Sequence, residues 1–337
     1  MPATTPVQDG KTLNMLDIPH EAMPQLRTNF ANPTDVINFL HTEYEDGKGC
    51  ALIVVTGTHG GGVRAPGALA GVSDTGKCAG YISNGCVDAD MFAQAVEAIN
   101  DGKVRTVRYG AGSPYLDIRL PCGGAVDLMI VPNPDPVLIA KFQKQLSDRH
   151  SIAFSCSIEG GLVPVEPNRK LNGWQDDRFF VRCHPKMRLR IAGRGTEPIA
   201  LMRTAHALDF DVLLQSPDED RLDAARALGY QAQKLVGIDT APKSYDDGHT
   251  AFVMMFHDHD WEAELLKEAL KTNAFYIGAL GGRKTHKSRC DVLRKSGVDD
   301  SEIARIRGPI GLISSVRNAS YLAISVLAEI INEYENI

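Results

Sequence analysis

Two cysteines sit in surroundings unlike those of an ordinary core thiol. Cys86 lies in GYISNGCVDAD (residues 80–90) and Cys122 in LPCGGAV (120–126), both among glycines and small polar residues. A thiolate is a nucleophile and a soft metal ligand, so such a cysteine could serve covalent, sulfur-relay or metal chemistry. After Cys86, the residues Phe92, Ala95, Val96 and Ile99 fall on one helical face, and Asp88 reads as that helix's N-cap. Cys86 is therefore expected at or just before a helix N-terminus, where unpaired amides and the macrodipole favour a thiolate. Cys122 stands at the mouth of an apolar strand, where Gly123 and Gly124 would let another backbone or a ligand approach. The competing reading makes both thiols small buried hydrophobes, and it is the preferred one for Cys50, Cys78, Cys156, Cys183 and Cys290.

A second set of residues lies further along. Gly193 and Gly195 in IAGRGTEP follow a strand and open a helix, the context in which a G-x-G carries weight. Pro198 takes the fingerprint's third position, which a helix's first turn tolerates. The acidic residue expected at the end of the next strand is missing, since DVLLQSPDED offers Gln215 and Ser216 first. A Rossmann shape is expected, with nicotinamide binding and a fold that holds no dinucleotide both left open. His257 and Asp258 in FHDHDW end a strand at the sheet edge where open α/β folds bind ligands. His257 and His259 could ligate a metal, but with no third donor nearby, loop capping is preferred. Gly281 and Arg283 in YIGALGGRKTHKSR would suit a phosphate cradle or simply a solvated basic turn.

The elements that must carry these residues can be read from the pattern. CALIVVTG (50–57) is a buried strand, preceded by a helix that starts near Thr34 or Asp35, and residues 133–149 suggest a surface helix. Short β-like runs fill 150–185. From residue 186 strands and helices alternate, which argues a parallel doubly wound sheet closed by the long helix ASYLAISVLAEIINEYE. The expected class is α/β: an arm at 1–33, a mixed α/β domain at 34–185 and a Rossmann-like domain at 186–337.

Bulk properties narrow the function classes. A chain of 337 residues suggests two domains, and 43% apolar with 23% charged residues is ordinary for a globular protein. The formal charge of −6 argues against nucleic-acid or anionic-membrane surfaces. No run approaches the roughly 20 apolar residues of a membrane span. The opening MPATTPVQDGKTLNML lacks the regions of a secretory signal. Seven scattered cysteines, without C-x-x-C spacing, fit reduced thiols and a cytoplasmic location rather than a disulfide framework or structural zinc.

Taken in order, GVRAPGAL, GYISNGCVDAD, LPCGGAVDL, IAGRGTEPIAL, HD, YIGALGGRK and GPIGL…AISVLAEI resemble the xanthine dehydrogenase accessory factor family (XdhC/CoxI) over most of residues 50–330. The resemblance implies a cytoplasmic accessory protein, more a chaperone than a turnover enzyme. It would bind molybdenum cofactor (molybdopterin, including a dinucleotide form), assist its sulfuration and insert it into an apo molybdenum hydroxylase. Xanthine dehydrogenase and aldehyde or CO dehydrogenase are the client types. A cysteine desulfurase would supply sulfur, and a homodimer is expected. Cys86 and Cys122 match the family's two cysteine motifs, with Gly85 and Gly123 beside them, and Arg64 in VRAPGA matches its loop arginine. Gly193, Gly195, His257, Gly281 and Arg283 complete the expected cofactor-binding set.

The sequence departs from the family pattern in four places. Asn84 precedes Gly85 and Cys86 where the family has a second glycine, and the loop before Arg64 is longer and contains His59. Ser216 and Asp218 replace an aspartate and an arginine, and SSVRNAS (314–320) links the tail motifs. Two other readings compete with the chaperone. One is an NAD(P)-dependent oxidoreductase using the Rossmann half, with Cys86 or His257 in acid–base or covalent work. The other is a metal or iron–sulfur protein built by thiols across a dimer.

Overall fold

A computed structural model describes residues 32–60, 64–83, 87–113, 123–167 and 172–336. Cys86 and Cys122, with Gly85, lie outside the described residues, as does the expected arm up to residue 31. The chain divides into two units between His184 and Pro185.

The first unit begins with α1 (Pro33–Glu45). Its cap is Asn32, whose side chain accepts from the Thr34 amide at 2.9 Å, so the helix starts just ahead of the expected Thr34 or Asp35. Pro33 then sits in the first turn, where its missing N–H costs nothing. There follow β1 (Cys50–His59), β2 (Leu69–Ser73), β3 (Cys78–Ala79), α2 (Asp88–Asp101), β4 (Arg105–Gly110) and β5 (Ala125–Pro132). Antiparallel pairing gives a five-stranded sheet in the order β3-β2-β1-β5-β4. After α3 (Pro136–Ser147) come β6 (Ile152–Ser157), β7 (Gly161–Val165), β8 (Gly173–Gln175) and β9 (Arg178–Cys183), a second antiparallel sheet ordered β7-β6-β9-β8.

The side-chain alternation of a strand sends neighbours in β1 to different cores. Ala51, Ile53 and Val55 pack with Met91, Phe92 and Ala95 of α2. Cys50, Leu52 and Val54 join Val36, Ile37 and Leu40 of α1, Ile139 and Phe142 of α3, and Phe154 and Phe179 of the smaller sheet. A two-sided sheet of this kind reads as a continuous apolar run, as CALIVV does.

The second unit runs β10 (Arg188–Gly193), α4 (Glu197–Ala207), β11 (Asp211–Ser216), α5 (Glu219–Ala227), β12 (Gln231–Lys234), β13 (Thr250–Met255), α6 (Glu262–Leu270), β14 (Tyr276–Ala279), α7 (Arg283–Lys295), α8 (Asp300–Ile303), β15 (Ile306–Arg307) and α9 (Ala319–Glu335). All six strands are parallel, in the order β12-β11-β10-β13-β14-β15. Counted within the unit this is 3-2-1-4-5-6, the doubly wound arrangement whose ligand crevice opens beside the first strand. Leu189, Ile191, Val253 and Met255 pack with α4, α5 and α9 on one face. Phe252 and Met254 pack with Leu265 and Leu266 of α6 and Leu293 of α7 on the other. Among the described residues no helix is long and apolar enough to cross a membrane.

Candidate functional site

In the first unit the strand registers bring several chain ends to one edge of the five-stranded sheet. His59 at the end of β1 pairs opposite Ala125 at the start of β5, and Gly110 at the end of β4 pairs opposite the same residue. Leu69, which opens β2, pairs with Val54, and Ala79, which ends β3, pairs with Gly71 of β2. The described flanks of the two cysteine motifs, Ser83 and Val87 for one and Gly123 for the other, therefore lead away from the same edge.

The flanks of Cys86 are pinned by polar bonds. Asp88 is the first residue of α2 rather than its cap, and Val87 occupies the cap position without a side-chain bond. The Asp88 carboxylate turns back instead, accepting from Ser83 N and Ser83 Oγ, each at 3.0 Å. Ser83 Oγ in turn accepts from Val87 N at 2.9 Å. Asp90, within the same first turn, accepts from the buried Tyr109 hydroxyl at 2.6 Å. Arg64 lies at the same edge with its guanidinium 4.9 Å from the Tyr81 ring centroid, a cation–π distance. Gly123 has φ +70°, and no atom of the described residues lies within 4 Å of where a Cβ would project.

A cluster not anticipated from the sequence stands beside them. Asp127 of β5 takes a two-pronged bond from Arg108 of β4, Nε to Oδ1 at 2.6 Å and Nη2 to Oδ2 at 2.8 Å. His59 Nε2 lies 2.9 Å from Asp127 Oδ2. Hydrogen bonds from Arg108 hold the Asp127 carboxyl below the usual carboxylate range; partial burial opposes them and His59 reinforces them. A β-bulge between Val55 and Gly57 sets the carboxylate against Gly57, where a Cβ would come 2.9 Å from Oδ2.

In the second unit the sequence-named residues line the carboxyl edge of the parallel sheet. Gly193 ends β10, and a Cβ there would fall 2.6 Å from the Met255 carbonyl oxygen and 2.7 Å from Pro198 Cγ. Gly195 has φ +87°, which favours glycine. Between them, Arg194 donates to Asp218 at 2.9 Å, across from the end of β11. His257 follows β13, and its Nε2 lies 3.2 Å from Glu197 Oε1. His259 bonds a different carboxylate, Glu262, at 3.0 Å, so the two histidines are separately partnered. Glu262 also receives Arg289 Nε and Nη2 at 2.8 and 2.9 Å, and Arg289 reaches the Leu280 carbonyl at 2.6 Å, tying the loops after β13 and β14 together. Gly281 (φ +131°) and the capping Gly282 lead into α7, whose first residue is the exposed Arg283. No group of three or more His, Cys, Asp or Glu able to hold a metal occurs among the described residues.

Asp127, Arg108, Glu197, Glu262 and Arg289 were missed by sequence reasoning. The available signals were a lone carboxylate inside the apolar strand AVDLMIVP and a glutamate directly after the glycine turn.

Comparison with known proteins matches both units. The family model described as XdhC and CoxI family matches residues 44–110, which include Cys86, and that described as XdhC Rossmann domain matches 189–330. Cys122 lies between the two matches. The chain is 31% identical over 297 residues to the Escherichia coli (strain K12) protein named "Molybdenum cofactor insertion chaperone PaoD", covering 88% of this chain and 86% of that one. It is 22% identical over 334 residues to a Bacillus subtilis (strain 168) protein described as a probable xanthine dehydrogenase component, covering 87% and 96%. A crystal structure described as a xanthine dehydrogenase from Bacillus halodurans has the same fold, with TM-score 0.70 at 18% identity over 90% of this chain and 96% of that one. Related along most of its length to one such protein and matched in each half, this chain belongs to the XdhC and CoxI family.

Proposed function

We propose that this chain takes molybdenum cofactor as cargo, assists exchange of a terminal oxo ligand for sulfur, and delivers the cofactor to an apo molybdenum hydroxylase. The observation that carries this reading is the 31% identity over 88% of the chain to the E. coli insertion chaperone. Cys86 and Cys122 are the thiols that hold the molybdenum or pass sulfur as a persulfide, because thiolate is a soft ligand and the attacking species in sulfur exchange. The emergence of their flanks at one sheet edge supports a single thiol site. Within the first unit, Arg64 and Gly123 at that edge are assigned to phosphate or pterin oxygens, and within the second, taken by itself, Gly281 and Arg283 at the start of α7 are assigned to an anionic group. Gly193, Gly195 and His257 border the crevice of the second unit. The chain acts as a homodimer in the cytoplasm, with a cysteine desulfurase as sulfur donor and a client of the xanthine, aldehyde or CO dehydrogenase type.

The test compares wild type with Cys86→Ala, Cys122→Ala and the double variant, all purified anaerobically from a cofactor-making host. Pterin is measured by fluorescence after acid–iodine oxidation, and activation of an apo client is assayed alongside. Pterin on the wild type, little on the double variant, and loss of client activation with unchanged melting temperature are expected. A wild type that takes up no pterin even from free cofactor, or alanine variants that still yield fully sulfurated client, would overturn the reading.

A further inference from the structure

In doubly wound folds a dinucleotide's pyrophosphate rests on the glycine turn and the N-terminus of the helix after the first strand. The steric conditions for that approach exist here in Gly193 and in Gly195 with its φ of +87°. The anion position, however, already holds a charge from the chain itself. Glu197 is the first residue of α4. Its Oε1 lies 3.2 Å from His257 Nε2, and its Oε2 lies 3.3 Å from Thr196 Oγ1 and 3.3 Å from the point where a Cβ on Gly195 would stand.

We propose that Glu197 determines the specificity of this turn by rejecting nucleotide pyrophosphates, its carboxylate occupying the helix N-terminus in their place. A second feature points the same way. The end of β11, where an acidic residue would bind an adenosine ribose, carries Ser216, and the nearest carboxylate beyond it, Asp218, is engaged by Arg194 at 2.9 Å, with Nε a further contact at 3.3 Å. An incoming dinucleotide would meet one negative charge at the turn and a spoken-for acceptor at the ribose. Two groups engage Glu197 at this place, His257 from the loop after β13 and Thr196 from the turn. The strand order of a nucleotide-binding fold is thus combined with a turn closed to nicotinamide and adenine dinucleotides. This inference concerns the α4 turn alone and does not rest on the thiol chemistry proposed above.

The test is isothermal titration calorimetry of ADP-ribose into the full chain at pH 8. Glu197→Gln keeps the shape and removes the charge, and Glu197→Ser also opens the space while leaving a good helix-start residue. Wild type is expected to give no binding at millimolar ligand. Both variants should tighten binding by about ten-fold or more, equivalent to ~1.4 kcal/mol, and Gly195→Val added to Glu197→Ser should abolish the gain. Equal affinity of wild type and Glu197→Gln, no gain in either variant, or a gain that survives Gly195→Val would each overturn the proposal. Thermal melting of every variant confirms that the fold is retained.

Discussion

His59 Nε2 and Asp127 Oδ2 lie 2.9 Å apart although 68 residues separate them, because a bulged β1 and an antiparallel β5 run in register to the same sheet edge. Arg108 grips the same carboxylate from the other neighbour of β5. The three strands thus share one polar knot beside the start of the chain segment that follows Cys122. The same His59 nitrogen also lies 3.1 Å from Arg108 Nη2, so all three side chains meet at one point.

Asp127→Asn is expected to weaken the fold slightly at neutral pH, and the loss should disappear in acid. The Asp127 carboxyl is held low chiefly by Arg108. A lowered carboxylate contributes its stability above the unfolded value, near 3.9, and loses it as the pH falls through the folded value. Urea unfolding of both proteins at pH 7, 5 and 3.5 should show a constant margin between the first two and a smaller one at the third. A margin that widens on acidification would contradict the geometry.

Thiol reactivity should divide the cysteines sharply. Burial pushes Cys50, Cys156 and Cys183 up to about 12 and Cys78 to about 11. Iodoacetamide at pH 8 should leave those four unmodified in the folded protein and label only among Cys86, Cys122 and Cys290, whereas unfolding exposes all seven. Peptide mass spectrometry reads the outcome, and rapid native labelling of Cys156 or Cys183 would refute it. The same shifts tie stability to pH. Unfolded thiols ionise near 8.5 while the folded ones stay protonated. Stability is unaffected by these groups below that value and falls as pH rises from there toward 11–12, where the folded thiols ionise too.

The buried pair Arg190–Asp246 should be the costliest to break in the second unit. Arg190 is 2% exposed, donates from Nε to Asp246 Oδ1 at 2.9 Å and from Nη1 to Gln215 Oε1 at 3.0 Å, and stacks 3.8 Å over the Phe252 ring. Asp246→Ala strands that guanidinium and is expected to cost ~3–5 kcal/mol. Arg190→Met combined with Asp246→Leu should recover much of the loss, since a buried ion pair gains little over well-packed apolar groups. Urea midpoints of the single and double variants decide it; a cost below about 1 kcal/mol for Asp246→Ala would show the pair to be solvated.

The second unit was legible because its signals are local. Strand-length apolar runs alternate with 3.6-period helices, and DVLLQS became β11 residue for residue. The first unit was less so, since its sheet order β3-β2-β1-β5-β4 places strands beside partners far along the chain. That is why Arg108, Asp127 and His59 escaped notice as a group, although an aspartate within AVDLMIVP was there to be questioned. Helix starts moved by one to three residues for a physical reason. Asp88 has the chemistry of a cap but commits its carboxylate to Ser83, and Asn32, one step before a proline, caps α1 instead. At the α4 turn the glycines were readable, but the charge that fills the turn depends on where the Glu197 side chain folds, which no spacing rule contains.

The glycine turn provides the last prediction, because its two glycines are required for different reasons. At Gly193 a Cβ would stand 2.6 Å from the Met255 carbonyl oxygen, and Gly193 pairs with Met255 in the β10–β13 ladder. Neither backbone can retreat without breaking parallel hydrogen bonds at the sheet's centre, so Gly193→Ala is expected to cost ~1–3 kcal/mol as an overpacking change. At Gly195 the nearest atom is the Glu197 carboxylate at 3.3 Å, the movable end of a flexible side chain. There the penalty comes from φ +87°, a conformation that costs an L-residue about 1–2 kcal/mol. Glu197→Ser removes the contact but not the dihedral strain. It should therefore leave the cost of Gly195→Ala nearly unchanged, and the same holds for Gly193→Ala, whose obstacle is backbone. Urea unfolding of the two alanine variants in both backgrounds measures this directly. Relief of the Gly195→Ala penalty by Glu197→Ser would mean that side-chain crowding, rather than backbone conformation, is what requires glycine at that position.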